Sequence, residues 1–206
     1  MIPARIEALA VADEADAIEA LARAFRDNPL NQAVVGGDAD RRLRTNRAGM
    51  RQLVPNVRRL GLVLTGRTSA GLGVLLANPP DTYPLAPPGL GGQLRTLWLQ
   101  GPRVALRWQR VFEHMHELHP LERHWYLATL GVAPTAQGRG VGSALLAALL
   151  QRADADRAPI WLETDRSANR VFYERAGFRT LCESRIFDVP IWHMQREAST
   201  PVGPRT

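Results

Sequence analysis

The chain has 206 residues, 45% of them apolar and 22% charged, which fits one globular domain long enough to bury a full core. The low hydrophobicity and high charge of disordered chains are absent, and no apolar run reaches the ~18 residues that a membrane span needs. All 26 residues counted as lysine or arginine are arginines, and the net charge of +6 and isoelectric point of about 10.8 invite a nucleic-acid interpretation.

The first half of the chain predicts a strand, helices and a strand pair. The elements, in order, are a strand over 5–11, a helix over 13–26, a helix that begins at Asp38 or Asp40, strands over 61–65 and 70–76, a proline-rich loop over 78–88 and helical segments over 90–118. Asp13 is expected to cap the first helix and Pro55 to kink or split the second. The second helix also carries a stripe that is typical of a solvated face, formed by Arg44, Arg47, Arg51 and Arg58.

The second half predicts alternating strands and helices. The elements are a strand over 125–132, a helix over 143–157, a strand over 160–163, a helix over 167–176 and strands over 178–189 and 191–196. Gly177 stands where the cap at the C-terminal end of a helix is expected. This order of elements indicates a mixed α/β sheet.

A glycine-dense turn, Gln137–Gly142, lies between the strand over 125–132 and the helix that follows. Glycines let the backbone approach a ligand and adopt positive φ, and the N–H groups at a helix start attract anions. The turn therefore predicts a phosphate or pyrophosphate held near Gln137–Ser143, with Arg139 adding a side-chain charge.

Two nucleotide-binding motifs compete for this turn. A P-loop needs a lysine after its glycines, and the chain has no lysine. A dinucleotide fingerprint is nearly matched by Gly138-x-Gly140-x-x-Ser143, with Glu163 about 20 residues further on. That fingerprint directly follows its strand, however, whereas four residues separate Val132 from the turn, so the match is incomplete.

A more specific match is to the acyl-CoA pyrophosphate motif of the GNAT acyltransferase superfamily, Q/R-x-x-G-x-G/A, which Gln137-x-x-Gly140-x-Gly142 resembles. Downstream, Leu162-Glu163-Thr164, Asn169 and Phe172–Phe178 look like the second half of that family. His119–Leu127 resembles a bacterial subgroup that includes puromycin N-acetyltransferase-like enzymes. The resemblance covers about residues 119–180.

The resemblance implies a GNAT-like fold of the α/β (α+β) class, with a single domain over residues 1–198 and a disordered tail over 199–206. The central sheet would be mostly antiparallel, splayed at the acyl-CoA site and flanked by helices. Acetyl-CoA would be the acyl donor, and no metal is implied. The implied cofactor-binding residues are Leu130, Gly131, Val132, Gln137, Gly138, Arg139, Gly140, Val141, Gly142, Ser143, Asn169 and Phe172.

The resemblance also assigns catalysis to Tyr173 and Glu163. Tyr173 would lie near the sulfur and protonate the departing thiolate, while an N–H near Leu130 would polarise the thioester carbonyl. Glu163 would take the proton of the attacking amine, with His124 and Tyr126 as rival bases.

Purely structural roles compete with these assignments. Tyr173 can be a packed aromatic side chain, and Glu163 can pair with Arg166 or Arg170. The histidines that precede residue 125 lack the spacing of a metal site and are expected to border a pocket. Cys182, the single cysteine, is expected in the core and is consistent with a reducing cytoplasm.

The predicted function is transfer of an acetyl group from acetyl-CoA to a primary amine of a small molecule, by direct attack of the amine on the thioester. The puromycin-like resemblance favours an antibiotic or xenobiotic amine. The alternative within the class is a peptide or protein amine. A cytoplasmic enzyme without membrane or nucleic-acid partners is expected, and a homodimer is compatible with the sequence.

An alternative of another class is a nucleic-acid-binding or non-catalytic acyl-CoA-sensing regulator that uses residues 41–110. This segment holds 12 arginines and one acidic residue, a charge of +11, whereas the rest of the chain carries −5. The segment shows no helix-turn-helix spacing and no aromatic residues interleaved with its arginines over 41–60, which counts against nucleic-acid binding.

Overall fold

Helices cover both faces of a seven-stranded sheet in the computed structural model, which describes residues 5–84, 91 and 97–199. The strands are β1 (Arg5–Ala8), β2 (Leu62–Thr68), β3 (Gly71–Asn78), β4 (Trp125–Val132), β5 (Ile160–Thr164), β6 (Arg179–Ile186) and β7 (Val189–Arg196). The helices are α1 (Glu14–Ala24), α2 (Pro29–Val35), α3 (Ala39–Leu60), α4 (Pro102–Glu117), α5 (Val141–Ala155) and α6 (Ser167–Arg175), with 3-10 turns at Val11–Asp13 and Pro134–Ala136. None of the helices in these described ranges is long and apolar enough to cross a lipid bilayer.

The strands lie in the order β1-β2-β3-β4-β5-β7-β6. Each neighbouring pair is antiparallel except β4 and β5, which run parallel. Helices on both faces of such a mixed sheet confirm the predicted α/β class with a mostly antiparallel centre.

The parallel neighbours β4 and β5 stay together for only two residue pairs. Trp125 pairs with Ile160 and Tyr126 with Trp161, and among the described residues the pairing ends there. β5 nevertheless pairs along its whole length with β7 on its other side. The rest of β4 therefore has a sheet neighbour on the β3 side only, and the two strands splay apart as predicted.

A β-bulge at Ala128 changes which face of the sheet the later residues of β4 take. On β3, Ala77 is opposite Leu127 while the adjacent Leu76 is opposite Thr129, so Ala128 has no partner. Leu127 lies in the core under α5, and Leu130 also packs against that core although it is three residues further on. Strict alternation would have placed Leu130 on the opposite face.

Two hydrophobic cores fill the opposite faces of the sheet. α5 covers the first core, whose members include Leu75, Leu127, Leu145, Leu149, Leu162 and Met194. α1 and α3 cover the second core, whose members include Leu21, Val54, Val57, Val63, Val74 and Leu76. The first core contains residues of both β4 and β5, so it fixes the two splayed strands against α5.

Arginines of the cationic segment bind α3 to α1 and the turn that follows it. Arg47 donates two hydrogen bonds to Glu19, at 2.6 and 2.8 Å. The other cross-helix ion pairs are Arg42 with Asp27 at 2.8 Å and Arg58 with Glu14 at 3.1 Å. The predicted solvated stripe is therefore wrong for Arg47 and Arg58, because acidic residues of α1 face them. Arg44 and Arg51 are exposed.

Two local predictions differ from the structure at single residues. A split of the second helix at Pro55 is wrong, because Val54 and Val57 are fully buried on either side and hold α3 in the core; a kink at Pro55 stays a prediction. Cys182 is exposed rather than buried, because β6 is the last strand of the sheet.

The end of the first predicted strand and the predicted cap of the first helix also differ from the structure. The first strand ends at Ala8 rather than at 11, since the next residues form a 3-10 turn that leads into α1. Asp13 holds the N-cap position of α1, but its carboxylate binds Arg67 at 2.9 Å instead of capping the helix. Parts of the predicted loop over 78–88, of the helical segments over 90–118 and of the tail lie outside the described residues.

The Glu19–Arg47 pair gives the fold a pH dependence with a defined sign. The hydrogen bond from Arg47 lowers the pKa of the Glu19 carboxyl from 4.5 to about 2. The pair therefore stabilises the fold fully above pH 4.5, and this stabilisation is lost as the pH falls towards 2 and Glu19 becomes protonated. Glu19→Gln should cost about 0.5–1 kcal/mol of unfolding free energy near pH 7, a difference that shrinks below pH 4.5. Urea unfolding at several pH values measures it.

Glu113→Gln is the matched control for this measurement. Glu113 is exposed on α4 and the described residues give it no ion pair, so its substitution should change stability by less than about 0.5 kcal/mol at each pH. An equal loss in both variants, or a Glu19→Gln loss that does not vary with pH, would contradict the prediction.

Candidate active site

A cleft of about 450 Å³ lies beside the part of β4 that β5 leaves. Its walls come from β4, the glycine turn, the start of α5, α6 and the end of α1. The cleft brings together most of the residues that sequence analysis selected, namely Leu130, Gly131, Val132, Gln137, Gly138, Gly140, Val141, Gly142, Ser143, Asn169, Phe172 and Tyr173.

The glycine turn presents backbone amides to this cleft. Gly138 and Gly140 have φ of 72° and 80°, and a Cβ built on either would meet no described atom within 4 Å, so backbone conformation rather than space calls for glycine here. Gly140 is the N-cap residue of α5 and has no side chain to accept from the first helical N–H groups. Those amides and the positive end of the helix dipole can therefore bind an anion.

The edge of β4 that faces away from β3 also offers backbone donors. The N–H of Ala133 donates to the carbonyl of Leu72 at 2.9 Å, on the β3 side. Because successive amides of a strand point to alternate sides, the amides of Val132 and Leu130 point towards the cleft. The side-chain amide of Gln137 donates to the Val132 carbonyl at 3.0 Å, which fixes the glycine turn against this edge.

Gly131 allows α1 to approach β4 closely. A Cβ at this position would lie 2.8 Å from Leu21 Cδ2, 2.9 Å from Phe25 Cε2 and 3.1 Å from the Ala24 methyl group. Any larger residue would push the end of α1 away, and with it the wall that α1 contributes to the cleft.

α6 places Tyr173 where the cleft meets the first core. The ring of Tyr173 makes edge contacts with Phe172 at 5.1 Å and Phe178 at 5.6 Å between ring centroids, so the side chain is packed and also lines the cleft. Burial raises the pKa of the Tyr173 hydroxyl well above its usual value of 10. The phenol therefore stays protonated across the physiological range and can donate a proton.

Sequence analysis missed the contribution of α1 and of Arg166 to the cleft. Ala24, Phe25 and Asn28 line it, and Arg166, at the N-cap of α6, brings a cationic side chain to it. Asp165 accepts from the Leu30 amide at 2.8 Å and so ties the start of α2 to the turn before α6. No local pattern signals these residues, because only tertiary packing brings them to the cleft.

Arg139 and Glu163 do not line the cleft. Arg139 is exposed beside the glycine turn. Glu163 has a side chain only 4% exposed, accepts from the Tyr126 hydroxyl at 2.8 Å and from Trp161 Nε1 at 2.6 Å, and makes neither of the predicted arginine pairs. It lies two residues beyond Trp161, the last β5 residue paired with β4, and thus just past the point where the strands part.

Histidines pack beside Glu163, whereas none of them lines the cleft. His119 and His193 each place Nδ1 3.9 Å from Glu163 Oε1, and His124 contacts His119. Within the described ranges, no group of three histidine, cysteine, aspartate or glutamate side chains is arranged to hold a metal ion.

Residues 105–180 match the family described as the acetyltransferase (GNAT) domain, and this stretch contains every site residue predicted above. This stretch belongs to the GNAT superfamily. The GNAT match begins within α4 and ends in β6, so β1–β3 and α1–α3 lie outside it. The puromycin-like subgroup stays a prediction.

The known proteins to which this chain is similar carry names that describe different acetyltransferases. A mycothiol acetyltransferase from Nocardia farcinica is 37% identical over 81 residues, which are 39% of this chain and about a quarter (24%) of that protein. A Corynebacterium glutamicum structure, described as histone acetyltransferase HPA2 and related acetyltransferase, superimposes with a TM-score of 0.74 at 25% identity over 98% of this chain and 100% of that one. Arylalkylamine N-acetyltransferase 2 from Aedes aegypti is alike in fold, with a TM-score of 0.62 and 17% identity over 95% and 99%.

Substitution by alanine should have different effects on stability at two glycines of the turn. Gly140→Ala places a Cβ on a residue with φ of 80° and should cost about 1–2 kcal/mol of unfolding free energy. Gly142→Ala lies inside α5, where its Cβ meets nothing closer than 3.6 Å, and should be neutral or add about 0.5–1 kcal/mol. Urea unfolding without ligand compares the two, and equal effects would contradict the conformational role of Gly140.

Proposed function

We propose that this chain transfers an acetyl group from acetyl-CoA to a primary amine of a small molecule, by direct attack of the amine on the thioester. The observation that carries the proposal is the convergence of three donors on one cleft: the unpaired edge of β4, the uncapped start of α5 and the Tyr173 hydroxyl. These suit the thioester arm, the pyrophosphate and the leaving thiolate of an acyl-CoA. Membership of the GNAT superfamily supports the same chemistry.

Binding of acetyl-CoA is proposed to use backbone amides more than side chains. The amides of residues 138–143 would hold the pyrophosphate, with Arg166 in the cleft wall and Arg139 beside the turn adding positive charge. The pantetheine arm would lie along β4, where the Leu130 amide can polarise the thioester carbonyl. Asn169 and Phe172, from α6, would form the opposite wall.

Tyr173 is proposed to protonate the departing thiolate. In the reaction the amine nitrogen bonds to the acyl carbon, the carbon–sulfur bond breaks, and the sulfur takes the phenolic proton, which Tyr173 later regains from solvent. A free thiol has a pKa of about 8.5, well below that of a buried phenol, so the phenol must lie close to the sulfur to transfer its proton. Its position in the cleft wall supports this role.

Glu163 is proposed as the base that takes the proton of the amine, through a water or the Tyr126 hydroxyl. Tyr126 donates to Glu163 Oε2 and lies on β4, four residues before Leu130, so the same strand connects the base to the thioester site. Burial and the neighbouring carboxylate raise the pKa of Tyr126, which keeps its hydroxyl neutral as a proton carrier.

A covered site supports a small acceptor over a peptide or protein amine. The Tyr83 ring stacks on His119 with centroids 3.6 Å apart and meets Tyr126 edge-on at 5.0 Å, so Tyr83 covers these two rings at the Glu163 end of the site. A peptide needs an open groove on both sides of its reactive amine, whereas a small amine needs only a pocket. Antibiotic and xenobiotic amines fit this class.

Removing one oxygen atom tests the role of Tyr173. Tyr173→Phe keeps the ring contacts with Phe172 and Phe178, so we expect unfolding free energy to change by less than about 1 kcal/mol. We expect kcat to fall about 10²-fold or more because the thiolate loses its acid. Free-thiol detection gives kcat, and calorimetry should give a Kd for acetyl-CoA within about threefold of the wild type. An unchanged kcat would remove the hydroxyl from the mechanism.

A panel of amines tests the function itself. The wild-type chain would be mixed with acetyl-CoA and aminonucleosides, arylalkylamines, polyamines or peptides with free N-termini and lysines, and thiol release followed. We expect at least one small amine to exceed every peptide about tenfold in kcat/KM. Acetyl-CoA at 100 times its Kd should add about 2.7 kcal/mol to the unfolding free energy. No stabilisation by acetyl-CoA would contradict the proposal, and a preference for peptides would move it to the alternative acceptor.

A further inference from the structure

Glu163 lies at the centre of a buried network whose histidines the chemistry above does not use. Its Oε1 accepts from Trp161 and its Oε2 from Tyr126, while His119 and His193 approach Oε1 from the other elements packed against it. Tyr83 covers the network. A carboxyl group with 4% of its side chain exposed has little direct contact with bulk water, so a base at this position needs a route by which its proton leaves.

The hydrogen bonds behind His119 assign the tautomers of two rings. His124 Nδ1 lies 2.6 Å from the backbone carbonyl of Glu122, which only accepts, so His124 Nδ1 carries a hydrogen. In neutral His124 the other nitrogen, Nε2, then accepts, and its partner at 2.8 Å is His119 Nε2, which must donate. Neutral His119 is therefore protonated at Nε2 and bare at Nδ1.

The bare nitrogen of His119 faces Glu163. His119 Nδ1 is buried, has no hydrogen-bond partner among the described residues and lies 3.9 Å from Glu163 Oε1. An N–H group that donates to a carboxylate lies about 2.8 Å from it, whereas two atoms that both carry lone pairs repel each other. The separation of 3.9 Å therefore agrees with a His119 Nδ1 that has no hydrogen. If Glu163 takes up a proton, it becomes a donor to this nitrogen.

The surroundings of His124 keep its ring neutral, which the assignment of the His119 tautomer requires. Burial lowers the pKa of His124, which favours its uncharged form at neutral pH. His124 is only partly buried, so its ring reaches the surface, whereas His119 is buried. The two rings thus lead from the interior carboxyl to solvent in two steps.

We propose that His119 and His124 form a proton outlet for Glu163, which carries away the proton taken from the amine in each turnover. This inference rests on the proposed function. Because His119 acts through Glu163 and touches no substrate, it is a positioning residue for the base rather than a catalytic residue.

The outlet balances as a sequence of single proton transfers. The amine N–H bond breaks and an O–H bond forms on Glu163; that bond then breaks as His119 Nδ1 is protonated. His119 gives its Nε2 proton to His124 Nε2, and His124 releases one proton to solvent. Each group returns to its starting charge, and His119 regains its Nε2 tautomer by exchange between turnovers.

His193 supplies a comparison within the same network. Its Nδ1 is also 3.9 Å from Glu163 Oε1, but its Nε2 lies 2.8 Å from the Ser184 hydroxyl, which in turn contacts His114 at 2.9 Å. A hydroxyl can donate in either direction, so these contacts do not fix the His193 tautomer. The Nδ1 atoms of both rings are unpaired among the described residues, but the hydrogen bonds fix the tautomer of His119 and leave that of His193 open.

A nitrogen NMR experiment tests the resting state without any turnover. Long-range ¹H–¹⁵N correlations of the wild-type protein, with His119 assigned by comparison with His119→Gln, should show at pH 8 a neutral ring with hydrogen on Nε2 and none on Nδ1. A ring protonated at Nδ1, or doubly protonated, would overturn the proposal. The NMR measurement needs no amine substrate. If the protein acetylates no amine, the proposed function is refuted, and the NMR spectrum still shows whether His119 has the tautomer that the outlet requires.

Chemical rescue tests the outlet during turnover. His124→Ala opens a partly exposed space, and we expect kcat to fall about tenfold, with added imidazole restoring at least half of it and KM for acetyl-CoA within about twofold of wild type. His116→Ala, at an exposed ring without contact to Glu163, should leave kcat unchanged and insensitive to imidazole. Loss of kcat that imidazole does not restore, or no loss at all, would overturn the proposal, since a packing role gives no saturable rescue.

Discussion

The separation of β4 from β5 after two residue pairs is the constraint on which the rest of the site depends. A strand in the middle of a sheet normally forms backbone hydrogen bonds with both neighbouring strands. β4 beyond Tyr126 has a partner strand only on the β3 side. The unpaired amides, the cleft beside them and the opposite wall on α6 all follow from that separation. β7 and the core under α5 hold β5 in its diverging path, so the opening is part of the fold rather than a gap in it.

Positive potential at the site comes from the backbone more than from the arginine surplus. The uncapped start of α5 and one lining guanidinium, Arg166, lie at the cleft, while several arginines of the cationic segment bind acidic residues of α1 and the turn after it. Some of the arginines of the cationic segment therefore serve the packing of α3 and do not form an open cationic surface. This use of charge weakens the case for a nucleic-acid surface.

Local sequence was sufficient where chemistry and geometry are local. The strand Trp125–Val132 was predicted with the bounds that the structure has, and the positive φ at Gly138 and Gly140 agrees with a turn chosen for its glycines. The start of α5 differs by only two residues from its prediction. In these cases the residues that form the pattern also form the element, so a short stretch of sequence is enough to predict the local backbone conformation.

Contacts between distant segments could not be predicted in the same way. Phe25 and Asn28 line the cleft because α1 packs on Gly131, more than a hundred residues away in the chain. Three partners of Glu163, namely Tyr126, His119 and His193, come from three other segments of the chain, which is why an arginine pair within its own neighbourhood was a reasonable but wrong alternative. Exposure of Cys182 likewise depends on β6 being an edge strand, which alternation of residue types does not reveal.

The bulge at Ala128 divides β4 into two halves with opposite parity. Before it, the odd-numbered residues Trp125 and Leu127 face α5; after it, the even-numbered Leu130 and Val132 pack against that side. Amide directions change in step, so one unpaired residue decides which peptide groups of β4 face the cleft. In a relative without the extra residue, the amides next to those of Leu130 and Val132 would point towards the cleft instead. A sequence alignment that ignored the bulge would therefore equate amides that point to opposite sides of β4, even where the side chains agree.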